Sequence, residues 1–543
     1  KKTPKYVDGS NNLLNPNLPI ALDTVYQTVT TDSNGTTTTD TFTYEGGEFY
    51  YNTALDRKFA GFSKITKVDN ANNKVVTYYH QGNGTNSSQG EYDDHSSKIG
   101  RVYRTEILDS SGNIYQKTIN KWDKYNLGTG RDFVKLARST TLSYDGDSDH
   151  KDKSEEYTYE NTYGNLTQKV DWGEVTGSDD GSFTDTGSDK YVTDITYSTN
   201  TTDYVIAPKQ ESIINQSSVK VRESRSYYDE LSHGSVAEGN MTKHDSWKDT
   251  SNYVKDFERT YNAYGLVTTE KDPRNYTTTY SYDSYNLYPA SVTNPLSQAT
   301  AYTYDYSSGK VKQTTDVNSR VFQTIYDGLD RPLEEKQPNL NSPTTLVLRT
   351  TYAYTPQTVG NQILRTDYLD GTVNRLTYTY TDGLDRVIQT RTEQEDGSYS
   401  VTDTIYNNTG EVSKISAPYS SSGTAKTSAT TTTNLLTTYT YDAMKRVLTE
   451  ENVFGTLTNT YDDWKQSITD RKGKTKHFYK EAHNNLSKVD ELNDSNSYTT
   501  LYEYDGNKSL TKITDSLSNI RNFTYDKLGR RLTAEDSRAT SDS

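Results

Sequence analysis

Tyr302-Thr303-Tyr304-Asp305 is followed, 22 residues on, by Tyr326-Asp327-Gly328-Leu329-Asp330-Arg331. Tyr282-Asp283 lies the same 22 residues before Tyr304-Asp305, and Tyr261-Asn262 lies 21 before that. Later copies are Tyr406-Asn407, Tyr441-Asp442, Tyr461-Asp462, Tyr504-Asp505 and Tyr525-Asp526. Several extend into a longer unit, as in Tyr441-Asp-Ala-Met-Lys-Arg446 and Tyr525-Asp-Lys-Leu-Gly529-Arg530. Tyr380-Thr-Asp-Gly-Leu-Asp-Arg386 is the same unit with one residue more. The alternation Tyr-Thr-Tyr puts aromatics on one face of a strand and threonines on the other. The Asp, Asn and Gly that follow are turn formers, and Arg331, Arg446 or Arg530 opens the returning strand. One repeat is therefore one hairpin. Neighbouring hairpins are expected to stack tyrosines across strands, each pair contributing roughly 0.2–1 kcal/mol.

Working outward, the composition agrees with a sheet that is wet on both faces. Only 31% of the 543 residues are hydrophobic, and the aromatics are 48 Tyr against 11 Phe. Low hydrophobicity alone would signal disorder, but disordered chains lack the Tyr, Thr and Val that abound here. Lys and Arg number 59 against 74 Asp and Glu, a net charge of −15 with no basic stripe, so nucleic acid is excluded as the main partner. There is no Cys, which removes disulfides, thiolate metal sites and a cysteine nucleophile. No apolar run approaches the ~20 residues needed for a membrane span, and Lys1-Lys2-Thr3-Pro4 leads into polar sequence, not into a signal-peptide apolar segment. The expectation is a piece of a longer protein.

Strands every ten residues or so would number about 50 and make a sheet roughly 240 Å wide at ~4.8 Å spacing. A sheet of that width curls, and a large closed one leaves a lumen. The fold class expected is all-β, with hairpins winding into a large hollow, cocoon-like shell and few or no helices. The first ~215 residues keep the Tyr/Thr strand character without a clean period. No segment has a convincing helical period, and the one candidate for a short helix lies around Asn126 to Ala137.

These repeats resemble the RHS/YD-repeat superfamily over 221–543. Residues 1–220 resemble the middle region of the B component of Tc insecticidal toxin complexes. The stretches that carry the second likeness are Tyr44-Glu-Gly-Gly-Glu-Phe-Tyr-Tyr51, Asp56-Arg-Lys-Phe-Ala-Gly-Phe62, Tyr79-His-Gln-Gly-Asn-Gly-Thr-Asn86, Gln89-Gly-Glu-Tyr-Asp-Asp-His95 and Lys98-Ile-Gly100. The resemblance implies a secreted or bacterial cell-surface virulence protein whose shell encloses a toxic polypeptide or C-terminal toxin domain. Its other partners would be further toxin-complex subunits. The family's C-terminal self-cleavage motif contains Asp-Pro; here Asp272-Pro273 is the only such pair and sits inside a repeat. Neither that motif nor the family's upstream β-propeller is matched, so protease activity and payload are not carried over. An adhesin or glycan-binding YD-repeat protein is the alternative, with the tyrosine ladders stacking on sugars.

Catalytic signatures are missing: no Gly-x-Ser-x-Gly elbow, no His-Glu-x-x-His, and Gly473-Lys474-Thr475 lacks the upstream Gly of a phosphate loop. The chain reads as non-enzymatic and without a cofactor; a sugar-cleaving solenoid would need a carboxylate pair in a groove. Asp145, Asp147, Asp149 and Glu156 fall at positions 1, 3, 5 and 12 of an EF-hand-like loop and make a weak calcium candidate. His150 replaces the turn glycine, so a solvated hairpin tip is the plainer reading. His80 and His95, with Asp93 and Asp94, form a conceivable metal or acid–base group that lacks a third ligand at useful spacing. His477 and His483 have no ligand spacing.

Overall fold

The computed structural model describes residues 1–3, 6–31, 35–128, 131–339, 341–358, 360–369, 373–493 and 496–537. Pro4, which falls in the leader reading, and Ser543 lie outside these.

Among the described residues thirty-nine strands form one antiparallel sheet that runs almost entirely as a meander, each strand pairing with the strands before and after it. The first strand, Gln27–Thr31, pairs only with Thr37–Tyr51, and the last, Arg531–Ser537, only with Ile520–Tyr525, so the sheet is open at both ends among the described residues. The repeat expectation holds: Thr277–Tyr282 with Pro289–Thr293, Ala299–Asp305 with Lys310–Thr315, and Val321–Tyr326 with Pro332–Asn339 are successive hairpins. Strands are fewer than the expected 50 because those of the N-terminal part are long, such as Ile114–Asn126 and Asp132–Ser143. That same hairpin takes the place of the candidate helix around Asn126 to Ala137. Residues 126 and 132–137 lie in strands, with residues 129 and 130 outside the described set. The alternation Phe133, Lys135, Ala137 suits a pleat, and cross-strand pairing outweighs local propensity there. Helical structure among the described elements is limited to short 3-10 turns over Ser87–Gln89, Ser96–Lys98 and Thr433–Leu435.

Buried apolar residues gather only in small groups. Tyr378, Tyr380, Ile388, Tyr399 and Val401 make one, and Ala207, Tyr228 and Val236 another. The accessible surface is 30031 Å². A compact globule of this mass would expose about 20,000 Å². The excess is the mark of a one-layer wall with both faces in contact with solvent.

The wall meets itself. Arg446 Nη2 donates to Asp145 Oδ1 at 2.9 Å. His483 Nε2 lies 2.8 Å from the Asp189 carbonyl oxygen, and the Lys151 and Lys527 ammonium groups sit over the Trp464 and Trp247 rings. Each of these pairs is about twenty-four strands apart. At ~4.8 Å per strand, one winding measures about 115 Å around and about 35–40 Å across at the backbone. The second winding therefore docks on the first along a seam, and the ribbon encloses a hollow.

Candidate functional sites: the repeat turn and a buried histidine–carboxylate cluster

The repeat turn is built the same way each time. Asp327 Oδ1 accepts from the backbone N–H of Leu329 and of Arg331, and Oδ2 accepts from Arg331 Nε at 2.8 Å. Asp442 does the same with Met444 and Arg446, and Asp526 with Leu528 and Arg530. Asp283 caps Tyr285 and Leu287, and Asp305 caps Ser307. The residue before the arginine has positive φ: Asp330 at 62°, Lys445 at 64° and Gly529 at 76°. This is a three-residue loop ending in a left-handed residue.

The tyrosine that precedes the turn is a latch. The hydroxyls of Tyr282, Tyr304, Tyr326 and Tyr441 donate to the carbonyls of Val267, Pro289, Val311 and Val412, all in the previous hairpin. Tyrosine–tyrosine stacking was the expected tie between hairpins, yet it occurs at only some of them, as between Tyr288 and Tyr304 with centroids 4.6 Å apart. Elsewhere a cation intervenes. The guanidinium of Arg331 lies 4.0 Å from the Tyr354 ring, that of Arg386 4.1 Å from Tyr406, and that of Arg446 4.0 Å from Tyr461. Each turn arginine thus joins its own aspartate to the next hairpin's tyrosine, a contact worth roughly 0.5–1 kcal/mol where exposed. Tyr525, Asp526, Gly529 and Arg530 form the last such turn, with the Arg530 side chain 68% exposed.

The seam brings acids together. Asp145 is paired with Arg446, but its Oδ2 is buried without a partner. Asp463 faces it across the seam; burial and then the neighbouring Asp462, with Asp149 and Asp145 beyond, push its pKa up to about 6. Of the calcium candidates, Asp147 and Asp149 are exposed in a turn, and Glu156 lies in strand Lys151–Tyr159 where it accepts from Trp172 Nε1. His483 is held between Asp171 and Asp189. Burial opposes its positive form, but the hydrogen bond to Asp171, the Asp189 carbonyl and both charges outweigh it and raise its pKa. His477 Nδ1 bonds Ser467 Oγ, and its ring meets that of Tyr479.

The toxin-like stretches of the N-terminal part converge on one loop, residues 80–101, between strands Lys74–Tyr79 and Val102–Leu108. Gln81 Nε2 donates to the carbonyls of Gly46 and Gly61, joining three of the stretches. Tyr92 Oη donates to the Asp180 carbonyl, and Gly90, at φ 90°, leaves no room for a Cβ, which would stand 2.3 Å from Ile119 Cγ2. At the loop's centre His80 is fully buried, its Nδ1 2.9 Å from Asp94 Oδ1 and 3.7 Å from Glu91 Oε1. Asp94 Oδ2 accepts from the N–H groups of Asn83 and Gly84. Burial would raise the Asp94 pKa, but the His80 bond and these N–H groups outweigh it and hold it low. Glu91 has less support: burial, then the Asp94 charge, outweigh a hydrogen bond from the Asn86 backbone and push it up to about 7. His80 and Asp94 therefore meet as the sequence spacing allowed, while Glu91 was missed. His95 and Asp93 do not join. His95 caps the Ser96–Lys98 turn by accepting from Ser97 N, and Asp93 binds the buried Lys98. No local signal marks Glu91, which only the folding of the loop brings in.

No family model matches the chain, and no curated protein matches it. Among solved structures it resembles the crystal structure of TcdB2-TccC3, with a TM-score of 0.76 at 13% identity, over 96% of this chain and 37% of that one. The same pair without its hypervariable C-terminal region gives 0.75 at 12%, over 97% and 39%. A Photorhabdus luminescens Tc holotoxin pore gives 0.75 at 11%, over 96% and 38%. The chain spans less than two fifths of the length of these neighbours. Its wound, open, all-β wall is the fold found in the Tc toxin TcdB2-TccC3 structures.

Proposed function

We propose that this chain is wall: a non-catalytic stretch of a toxin-delivery shell that encloses a toxic polypeptide and assembles with other toxin-complex subunits outside the producing cell. The observation that carries the reading is the single-layer ribbon, wet on both faces, that meets itself after about twenty-four strands. A wall of that kind spends its residues on enclosing volume and not on a core. The likeness in fold to Tc toxin structures supports the same reading. Residues 1–220 and 221–543 would be two portions of one wall, since strands Val205–Asn215 and Lys220–Tyr228 pair without a break.

The test uses the chain within its complete natural protein. Cryo-electron microscopy and protease digestion should reveal an interior polypeptide without fixed structure that survives digestion until the wall is opened. An interior packed with ordered side chains, or digestion of every segment at the same rate, would overturn the proposal. A glycan-binding reading has one observation of its own, the exposed rings of Tyr264 and Tyr285, 71% and 68% accessible at neighbouring turns. Glycan-array binding by this chain that disappears in Tyr264→Ala and Tyr285→Ala would favour it.

A further inference from the structure

We propose that His80, Glu91 and Asp94 bind a divalent transition-metal ion of the zinc class. Their ligand atoms lie within 4.8 Å of one another, the one such group of three among the described residues. Zinc holds nitrogen and oxygen at about 2.0–2.2 Å, so neighbouring ligands on a tetrahedron stand about 3.3–3.6 Å apart. The His80 Nδ1 distances to Asp94 and Glu91, 2.9 and 3.7 Å, bracket that edge. A histidine nitrogen with two carboxylate oxygens is a donor set that suits zinc and its first-row neighbours, and three protein ligands leave a position for water.

Charge points the same way. The His80 and Asp94 side chains are 1% and 0% exposed and Glu91 is 14% exposed, and Glu91 has no ion-pair partner other than His80 among the described residues. Two carboxylates so placed share one histidine as their ion-pair partner, and isolated buried charges are costly. The neighbouring cations are engaged elsewhere: Arg104 with Glu106 and Asp179, Lys98 with Tyr92 and Asp93. A bound ion ties position 80 to 91 and 94 across the loop that docks on Gly46 and Gly61.

The test is direct. The chain, stripped with chelator, is titrated with Zn²⁺ by calorimetry and with Co²⁺ by visible absorption, and its melting temperature is followed. One ion per chain, a Co²⁺ spectrum of nitrogen–oxygen coordination and a raised melting temperature are expected. Glu91→Gln, Asp94→Asn and His80→Gln should each weaken binding by ~100-fold or more, above the 10- to 100-fold loss typical when only a ligand's supporting partner is removed. His150→Gln, at a separate His–Asp pair, should leave it intact. Should His80→Gln not fold, Glu91→Gln decides, because the isosteric amide stays in the loop without charge. Failure to take up either ion, or equal uptake by Glu91→Gln, would overturn the proposal.

Discussion

Asp382 shows what one residue of the repeat holds. Its side chain is fully buried, Oδ1 accepts from the N–H of Leu384 and Arg386, and Oδ2 from Arg386 Nε. Asp382→Ala strands two N–H groups and a guanidinium, and should cost about 2 kcal/mol in urea unfolding. Asp382→Asn, which keeps the acceptor but not the charge, should cost less. Equal losses would mean that the carboxylate charge contributes nothing. This motif was legible in the chain because it is local: Tyr, Asp, a left-handed residue and Arg sit within six positions, and each bonds within that span or to the hairpin just before. Glu91 was not legible, since its meeting with His80 depends on the path of a whole loop. The role of Arg331 and Arg446 over the next tyrosine was missed for the same reason, as it spans two hairpins.

At the scale of the element, the turn is asymmetric. Beside most repeat tyrosines the register slips by one residue, as between Ser281 and Tyr282, Thr303 and Tyr304, Ile325 and Tyr326, and Thr524 and Tyr525. The opposite turns of the same hairpins, such as those after Lys271 and Thr315, show no such slip. In a meander all the tyrosine turns fall on one long edge, so the extra residue recurs chiefly there, with slips at the opposite edge between Ile213 and Ile214 and between Pro338 and Asn339. Bulges bend a strand and increase its twist, and their repetition on one side bends the ribbon steadily. The left-handed slot in the loop gives a measurable handle. Asp330 occupies it at φ 62°, where Gly529 stands in the last repeat. Asp330→Gly should be neutral or stabilising, while Asp330→Val should destabilise by roughly 1–2 kcal/mol, read from denaturant midpoints. That the sheet curls was expected from its width, but the edge that bends it was beyond sequence reading. A two-residue alternation shows strands and turns but not which edge carries the extra residue, and the long strands of residues 1–220 hide the period altogether.

Across the whole molecule the decisive contacts are those of the seam, and they are ionisable. Arg446 closes it by bonding Asp145 and Asp442 while lying over Tyr461. Arg446→Met should therefore cost about 3 kcal/mol, because it leaves the buried Asp145 charge unpaired, and Asp145→Asn added to it should recover part of that loss. His483 and Asp463 make the same seam sensitive to pH, and their signs agree. His483 is faced by Asp171, Asp189 and Tyr191, and its folded pKa lies above the ordinary 6.5. Its contribution is complete below 6.5 and is lost as pH rises through the folded value. Asp463, raised from 3.8 to about 6, binds its proton more tightly in the folded wall, so its contribution too fades as pH rises through about 6. The seam should hold more firmly in mild acid than at alkaline pH. Melting temperatures measured from about pH 4 to about pH 8 span both transitions. His483→Gln and Asp463→Asn should each flatten the slope, and the double variant should flatten it further. Glu91, also raised, lies away from the seam and would leave a residual slope that Glu91→Gln removes. A double seam variant with the full wild-type slope would show that the windings are not held together by these two groups.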